Sequence, residues 1–143
     1  MAAELRLVRE LGHLSIPAGM TVEREALYLK ITYLPTDGMW QGQRLSFSLK
    51  CPPSYPIDPP RLVSSLPAPF HPCISPVNGA VCLNILRLDW MPVLGVQAIL
   101  LGLEGLFHLD PLLLSDLDDV LNREAAELLN SDPIAYARRV NSV

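Results

Sequence analysis

Charge is scarce in this 143-residue chain: 18% of the residues are Asp, Glu, Lys or Arg, and the formal net charge is −4. Without a basic excess there is no general attraction to nucleic acid or to an anionic membrane surface, so neither is expected as a partner. Cysteine is scarce too, and its odd count of 3 makes a disulfide framework a poor explanation and a reducing intracellular compartment the better one, with a cytoplasmic and nuclear location expected. The apolar run from Val93 to Phe107 is interrupted by Gln97 and Glu104, and it falls short of the roughly 20 residues a membrane span needs. The opening MAAELRLVREL alternates charge with no long apolar block, which argues against a secretory signal. Internal repeats and low-complexity segments are absent. Apolar residues are abundant, at 50%, enough for the core of one domain expected to span residues 1–143. So is proline: there are 14 against 8 glycines, and ten of the fourteen fall between Pro52 and Pro92. Such a stretch is neither continuous helix nor central sheet, and the chemistry is expected inside it or at its edge.

Along the chain, Leu7, Leu11 and Leu14 share one helical stripe while Glu4, Arg6, Arg9 and Glu10 take much of the remainder, so a first amphipathic helix is expected over about Ala2 to Leu11. A short polar stretch follows. Ala26 to Leu34 then has the composition of a strand, with Leu27, Leu29, Ile31 and Tyr33 on one face. Pro35-Thr36-Asp37-Gly38 reads as a turn, and Arg44 to Lys50 alternates strictly, with Leu45, Phe47 and Leu49 turned one way. With a short strand at Arg61 to Ser64, this predicts a three-strand antiparallel meander. From Val93 to Phe107 the pattern is that of a helix apolar on nearly all sides, at the centre of the fold. Asn122 reads as an N-cap for Arg123 to Leu129, and Asp132-Pro133 starts a last helix with Ile134, Ala137 and Val140 facing inward. The fold class is α+β, with an N-terminal helix, an antiparallel β-meander, a central buried helix and C-terminal helices on one face of the sheet.

Three groups of residues could carry chemistry. Cys82 lies in the short apolar stretch Val81 to Leu86 inside the proline-dense region. A small buried hydrophobe is the ordinary reading of a cysteine, but a thiol on rigid irregular backbone is also where a nucleophile is expected. No histidine stands at a nucleophile–base spacing from it, since His71 precedes it by eleven residues. His71, Cys73 and Cys82 lack a Cys-x-x-Cys knuckle and would need His13, Cys51 or His108 as a fourth zinc ligand, so no metal is expected. His71 is better suited to anchoring a turn, Cys51 and Trp40 to packing, and Trp90 to core or edge packing. The acidic group Asp110, Asp116, Asp118 and Asp119 reads as a solvated loop, unless it lies near a reaction centre and favours an incoming amine. Cys73 and Cys82 would also pair under oxidation if their Cα atoms stood within about 7 Å.

Taken together, Tyr55-Pro56, Pro59-Pro60, His71-Pro72, Gly79-x-Val81-Cys82-Leu83-Asn84-Ile85-Leu86 and Trp90-x-Pro92 resemble the catalytic core of the ubiquitin-like-protein conjugating enzymes. Leu83 to Arg87, Asp89-Trp90, Pro92 to Leu94 and Leu121 to Glu127 look most like the members that carry the neddylation modifier. The resemblance implies the UBC fold and a thioester between Cys82 and the C-terminal glycine of the modifier, received from an activating enzyme. It implies transfer to a substrate lysine, usually of a cullin, with a RING-type ligase. No cofactor is expected on this chain; ATP binding and nucleotide use belong to the activating enzyme's part of the pathway. His71, Pro72, Cys73, Asn78, Asp118 and Asp119 are the supporting positions, and Arg6, Arg9, Leu66, Pro67, Met91 and Pro92 the partner-binding ones.

Three departures bear on this reading. The family's His-Pro-Asn is His71-Pro72-Cys73 here, and a thiol is a weaker donor to an oxyanion than an amide. Asn78 or a backbone N–H would then have to serve. The connection from Phe107 to Leu121 is longer than usual, which leaves Asp118 and Asp119 as alternatives for the acidic residue near the cysteine. Finally, neddylation members carry an N-terminal docking extension, and only a few residues precede the first helix in this sequence. Either the sequence given starts after that segment or selectivity is reached differently. The alternatives to a neddylation enzyme are a ubiquitin carrier and a UBC-fold adaptor with weakened transfer.

Overall fold

The computed structural model describes residues 2–87, 89–108 and 120–141. Its sheet is built from alternation. In β2 (Tyr28–Tyr33) the residues Leu29, Ile31 and Tyr33 are buried, and in β3 (Leu45–Lys50) Leu45, Phe47 and Leu49 are. They face the same way because the strands pair antiparallel in a register that sets Leu29 against Leu49, Ile31 against Phe47 and Tyr33 against Leu45. β4 (Arg61–Ser64) adds Leu62 beside Leu49. The opposite face, with Tyr28, Lys30, Ser48 and Lys50, is exposed.

The meander has four strands rather than three. The stretch expected as a polar connection is β1 (Met20–Glu25), paired with β2 from Met20↔Tyr33 to Glu25↔Tyr28. Only Met20 is buried and Val22 half-buried, so the edge strand has little apolar alternation to read; it is held by its backbone ladder.

On the inner face lie α1 (Ala2–Leu11), through Ala3 and Leu7, and α3 (Gly95–Leu106), through Val96, Ile99, Leu100 and Leu103. The central helix is less uniformly apolar-faced than its composition implies. It starts at Gly95, leaving Val93 80% exposed, and Leu101 is 53% exposed on its outer side. α4 (Arg123–Ser131) is capped by Asn122, whose Oδ1 accepts the Ala125 N–H at 3.0 Å. In α5 (Pro133–Asn141) Tyr136 and Val140 point inward, four residues apart. Ile134 is 69% exposed, contrary to the inward expectation, because it stands two residues from Tyr136 and so on the far side of the helix. No helix among the described residues is long and apolar enough to cross a membrane.

Candidate active site

The segment around Cys82 lacks sequence periodicity but not order. Ile74 and Val81 form an antiparallel bridge, flanked by Cys82 N–H to the Cys73 carbonyl and Ser75 N–H to the Ala80 carbonyl, both 2.9 Å. This small hairpin is attached to β4, through the bridge Val63↔Ala80, the Ser64 N–H to the Gly79 carbonyl at 2.7 Å and the Val81 N–H to the Leu62 carbonyl at 3.4 Å. Gly79 is required at its turn: φ is +75°, and a Cβ there would stand 2.2 Å from the Ser64 carbonyl oxygen. Cys82 therefore leaves an extension of the sheet, half-buried, and two residues later the chain enters the short helix α2 (Asn84–Arg87).

His71 is fully buried and has both ring nitrogens committed. Nδ1 accepts the Cys73 N–H at 2.9 Å, so Nε2 carries the proton and donates it to the Leu106 carbonyl at 2.6 Å. Burial pushes its pKa down to about 4, partly opposed by the bond to Leu106, so the ring is neutral at pH 7. It holds the turn before Cys73 against the end of α3; it is placed as an anchor, not as a base or a metal ligand. Pro72 is buried, and its carbonyl accepts the Leu121 and Asn122 N–H groups at 2.9 and 3.0 Å, tying the entry of α4 to the same turn. Cys73 stands opposite Cys82, half-buried, with its thiol pushed up to about 11, first by burial and then by the neighbouring Cys82. Asn78 is exposed at the closed end of the hairpin, where its Oδ1 accepts the Ala80 N–H at 3.0 Å. The ladder pairs Ser75–Ala80 and Ile74–Val81 separate that turn from the Cys73–Cys82 pair. Asp118 and Asp119, with Asp110 and Asp116, lie outside the described residues. Among the described residues no group of three or more His, Cys, Asp or Glu stands together to hold a metal ion.

A second cluster joins the candidate partner-binding residues. Arg6 donates to the Pro92 carbonyl at 2.7 Å and pairs with Glu10 at 3.2 Å. Glu10 also accepts the Tyr55 hydroxyl and, at 2.8 Å, the Val96 N–H. It thereby supplies the anionic cap that Leu94 does not give to the N-terminus of α3. Gly95 lets the carboxylate in, with φ of +64° and a hypothetical Cβ 1.9 Å from Oε1. Trp90 is half-buried at the edge, and its Nε1–H donates to the Pro56 carbonyl at 2.9 Å. These bonds draw α1, the Tyr55–Ile57 turn and the 90–93 loop together, with Met91, Pro92 and Val93 exposed and Ile57 74% exposed. Arg9 is exposed on α1. Leu66 and Pro67 fall elsewhere: with Phe70, Arg139 and Val140 they line a groove beside α5. Sequence reading missed Glu10 as the hub and Ile57 as the exposed tip. A proline on either side of the turn and an acid at the end of an amphipathic helix were the only signals.

The ubiquitin-conjugating enzyme family model matches residues 1–143. The chain is 39% identical over 131 residues to a protein of Dictyostelium discoideum named NEDD8-conjugating enzyme Ubc12, covering 89% of this chain and 54% of that one. It thus spans about half the length of that relative. To the NEDD8-conjugating enzyme ubc12 of Schizosaccharomyces pombe it is 38% identical over 146 residues, covering 98% of this chain and 77% of the relative. Among solved structures, that of S. cerevisiae Ubc12 matches with a TM-score of 0.86 and 35% identity, covering 98% of this chain and 75% of that one.

Proposed function

The chain belongs to the ubiquitin-conjugating enzyme family, and from that membership we propose that it carries a NEDD8-type modifier as a thioester on Cys82 and passes it to a lysine. The single observation that carries this reading is the placement of Cys82. It is a half-buried thiol at the open end of a hairpin fixed to the sheet edge, within the Val81-Cys82-Leu83-Asn84 motif, in a chain similar to proteins named NEDD8-conjugating enzymes. In the forward step the Cys82 thiolate attacks the modifier's thioester on the activating enzyme; a new C–S bond forms and the activating enzyme's thiolate leaves. In the second step a lysine amine attacks, an amide forms and the Cys82 thiolate departs, needing neither metal nor organic cofactor.

His71 has no proton to trade in these steps; it fixes Cys73. Cys73, held as a thiol, occupies the position of the motif's asparagine and offers a weaker donor to the developing oxyanion, so discharge is slow or depends on a RING-type ligase. The face formed by Arg6, Ile57, Met91 and Pro92 supports docking of the activating enzyme and the ligase, with a cullin lysine as acceptor.

Incubation with NEDD8, its activating enzyme and ATP, followed by a non-reducing gel, tests the reading. A thiol-sensitive adduct lost in Cys82→Ala is expected. An adduct formed with ubiquitin alone would replace the modifier. Cys73 favours one rival, an adaptor that has kept the fold without transfer; absence of any adduct, with partner binding unchanged in Cys82→Ala, would establish it. Cys73→Asn is expected to speed lysine discharge by up to about 100-fold, and an unchanged rate would assign the oxyanion to another donor.

A further inference from the structure

The two half-buried cysteines are not merely near in sequence. The bonds that flank Ile74↔Val81 run from Cys82 N–H to the Cys73 carbonyl and from Ser75 N–H to the Ala80 carbonyl. That pattern makes Ile74–Val81 a non-hydrogen-bonded pair of an antiparallel ladder, and at its end Cys73 and Cys82 are joined by the single bond from Cys82 N–H, the Cys73 N–H being taken by His71 Nδ1. That bond holds the two backbones side by side, where residues so joined in a regular ladder have Cα atoms about 5.5 Å apart, and the two thiols are near enough for Cys82 to raise that of Cys73. A disulfide needs about 4.4 to 6.8 Å. Both cysteines are half-buried, Cys73 resting against the core, and within reach of a small oxidant. The third cysteine, Cys51, is buried at the end of β3.

We infer that Cys73 and Cys82 form an oxidative modification site, closing an intramolecular disulfide in response to a hydroperoxide and withdrawing Cys82 from thioester chemistry until a thiol reductant reopens it. The consequence for loading rests on the reading of Cys82 as the thioester residue; the bond itself does not. In the first step the Cys82 thiolate attacks the peroxide, an S–O bond forms, the O–O bond breaks and the leaving oxygen takes up a proton. Cys82 is oxidised to the sulfenic acid, and the peroxide is reduced. In the second step the Cys73 sulfur attacks that of Cys82; the S–S bond forms, the S–O bond breaks, and the hydroxyl leaves with the Cys73 proton as water. Burial pushes the Cys73 thiol up, which disfavours it for the first attack and slows its resolving attack, where its proton leaves with the hydroxyl. A dithiol reverses the bond by exchange and restores both thiols.

The test treats the purified chain with hydrogen peroxide, removes the oxidant and reads intact mass, alkylatable thiols and non-reducing peptides. A mass lower by two hydrogens, a fall from three alkylatable thiols to one and a peptide joining Cys73 to Cys82 are expected, all reversed by dithiothreitol. Cys73→Ser should instead gain oxygen on Cys82. Added oxygen without loss of hydrogens in the wild-type chain, or a linked peptide containing Cys51, would overturn the assignment. The same samples are then loaded with NEDD8, its activating enzyme and ATP. Loading of the oxidised sample at least about tenfold below the reduced one, with recovery in dithiothreitol, is expected of a blocked nucleophile. Equal loading by disulfide-bonded and reduced protein would overturn the blocking role. If the reduced chain does not load at all while the linked peptide forms, the proposed function has failed and the modification site stands.

Discussion

Two halves of this molecule are held in different ways. The inner face of the sheet and α3 are joined by apolar burial: Leu29, Ile31, Leu49, Ile99, Leu100 and Leu103 are all fully buried. The proline-dense segment from Pro52 to Pro92 sends Leu62 and Ile74 into that same core, but its turns are positioned by single polar bonds. His71 reaches Leu106, Tyr55 reaches Glu10, Trp90 reaches Pro56 within the segment, and the Pro72 carbonyl receives two N–H groups from the entry of α4. Apolar burial is non-directional and large, and it sets stability. A polar bond contributes little net but fixes direction, and its loss leaves a buried group unpaired. The scaffold is therefore where stability is concentrated, and the segment around Cys82 is where geometry is specified.

The largest effect should come from the scaffold. Leu103→Ala removes a fully buried side chain between α3 and the sheet, and is expected to cost about 2 to 5 kcal/mol. Urea unfolding followed by far-UV circular dichroism measures it. A loss under about 1 kcal/mol would mean that the sheet and helix are not the main cohesive unit.

A pH-dependent effect of intermediate size comes from His71, whose ring links the halves. Its folded pKa, about 4, lies below the ordinary histidine value of 6.5 because the ring is buried. The unfolded chain then binds the proton first as pH falls. The contribution is fully present above about pH 6.5 and is lost on descent toward pH 4, a change of about 3 kcal/mol. Ring-resolved NMR should find His71 still neutral at pH 5, with unfolding midpoints falling between pH 7 and 5. Titration of this ring near 6.5 would contradict the anchoring role.

The two halves also differ in how far the sequence discloses them. Strict alternation in Leu45, Phe47 and Leu49 and the stripe of Leu7 were sufficient for β3 and α1, because burial of one face imposes a period. Asn122 and Asp132 announced their helices, since a cap needs a short acceptor side chain; Asp132 Oδ1 accepts the Ala135 N–H at 3.1 Å. β1 gave no such sign, because an edge strand with Glu23, Arg24 and Glu25 is specified by pairing and not by burial. In the segment, the motif around Cys82 was legible as a motif while its hairpin was not: each strand contributes only about three ladder residues, too few for a period to show. Glu10 was equally hidden. Its three acceptor contacts come from Arg6, Tyr55 and Val96, and only the first lies within its own helix.

The smallest effect on stability should come from Trp90→Phe, which tests whether the segment can be loosened without unfolding the scaffold. Phenylalanine keeps an aromatic ring beside Tyr55, whose centroid lies 6.1 Å from that of Trp90, and removes the donor to the Pro56 carbonyl together with part of the half-buried indole surface. A single hydrogen bond of this kind contributes about 1 kcal/mol net. Global stability should fall by that amount or less. Amide exchange should rise selectively in the neighbouring turns, at Ile57 N–H, bonded to the Ser54 carbonyl, and at Leu94 N–H, bonded to that of Met91. Exchange at Leu49 and Leu100, deep in the scaffold, should shift only by the change in global stability. If Trp90→Phe lowers stability as far as Leu103→Ala does, the loop and the core unfold as one unit, and the division between a cohesive scaffold and a directionally tied site does not hold.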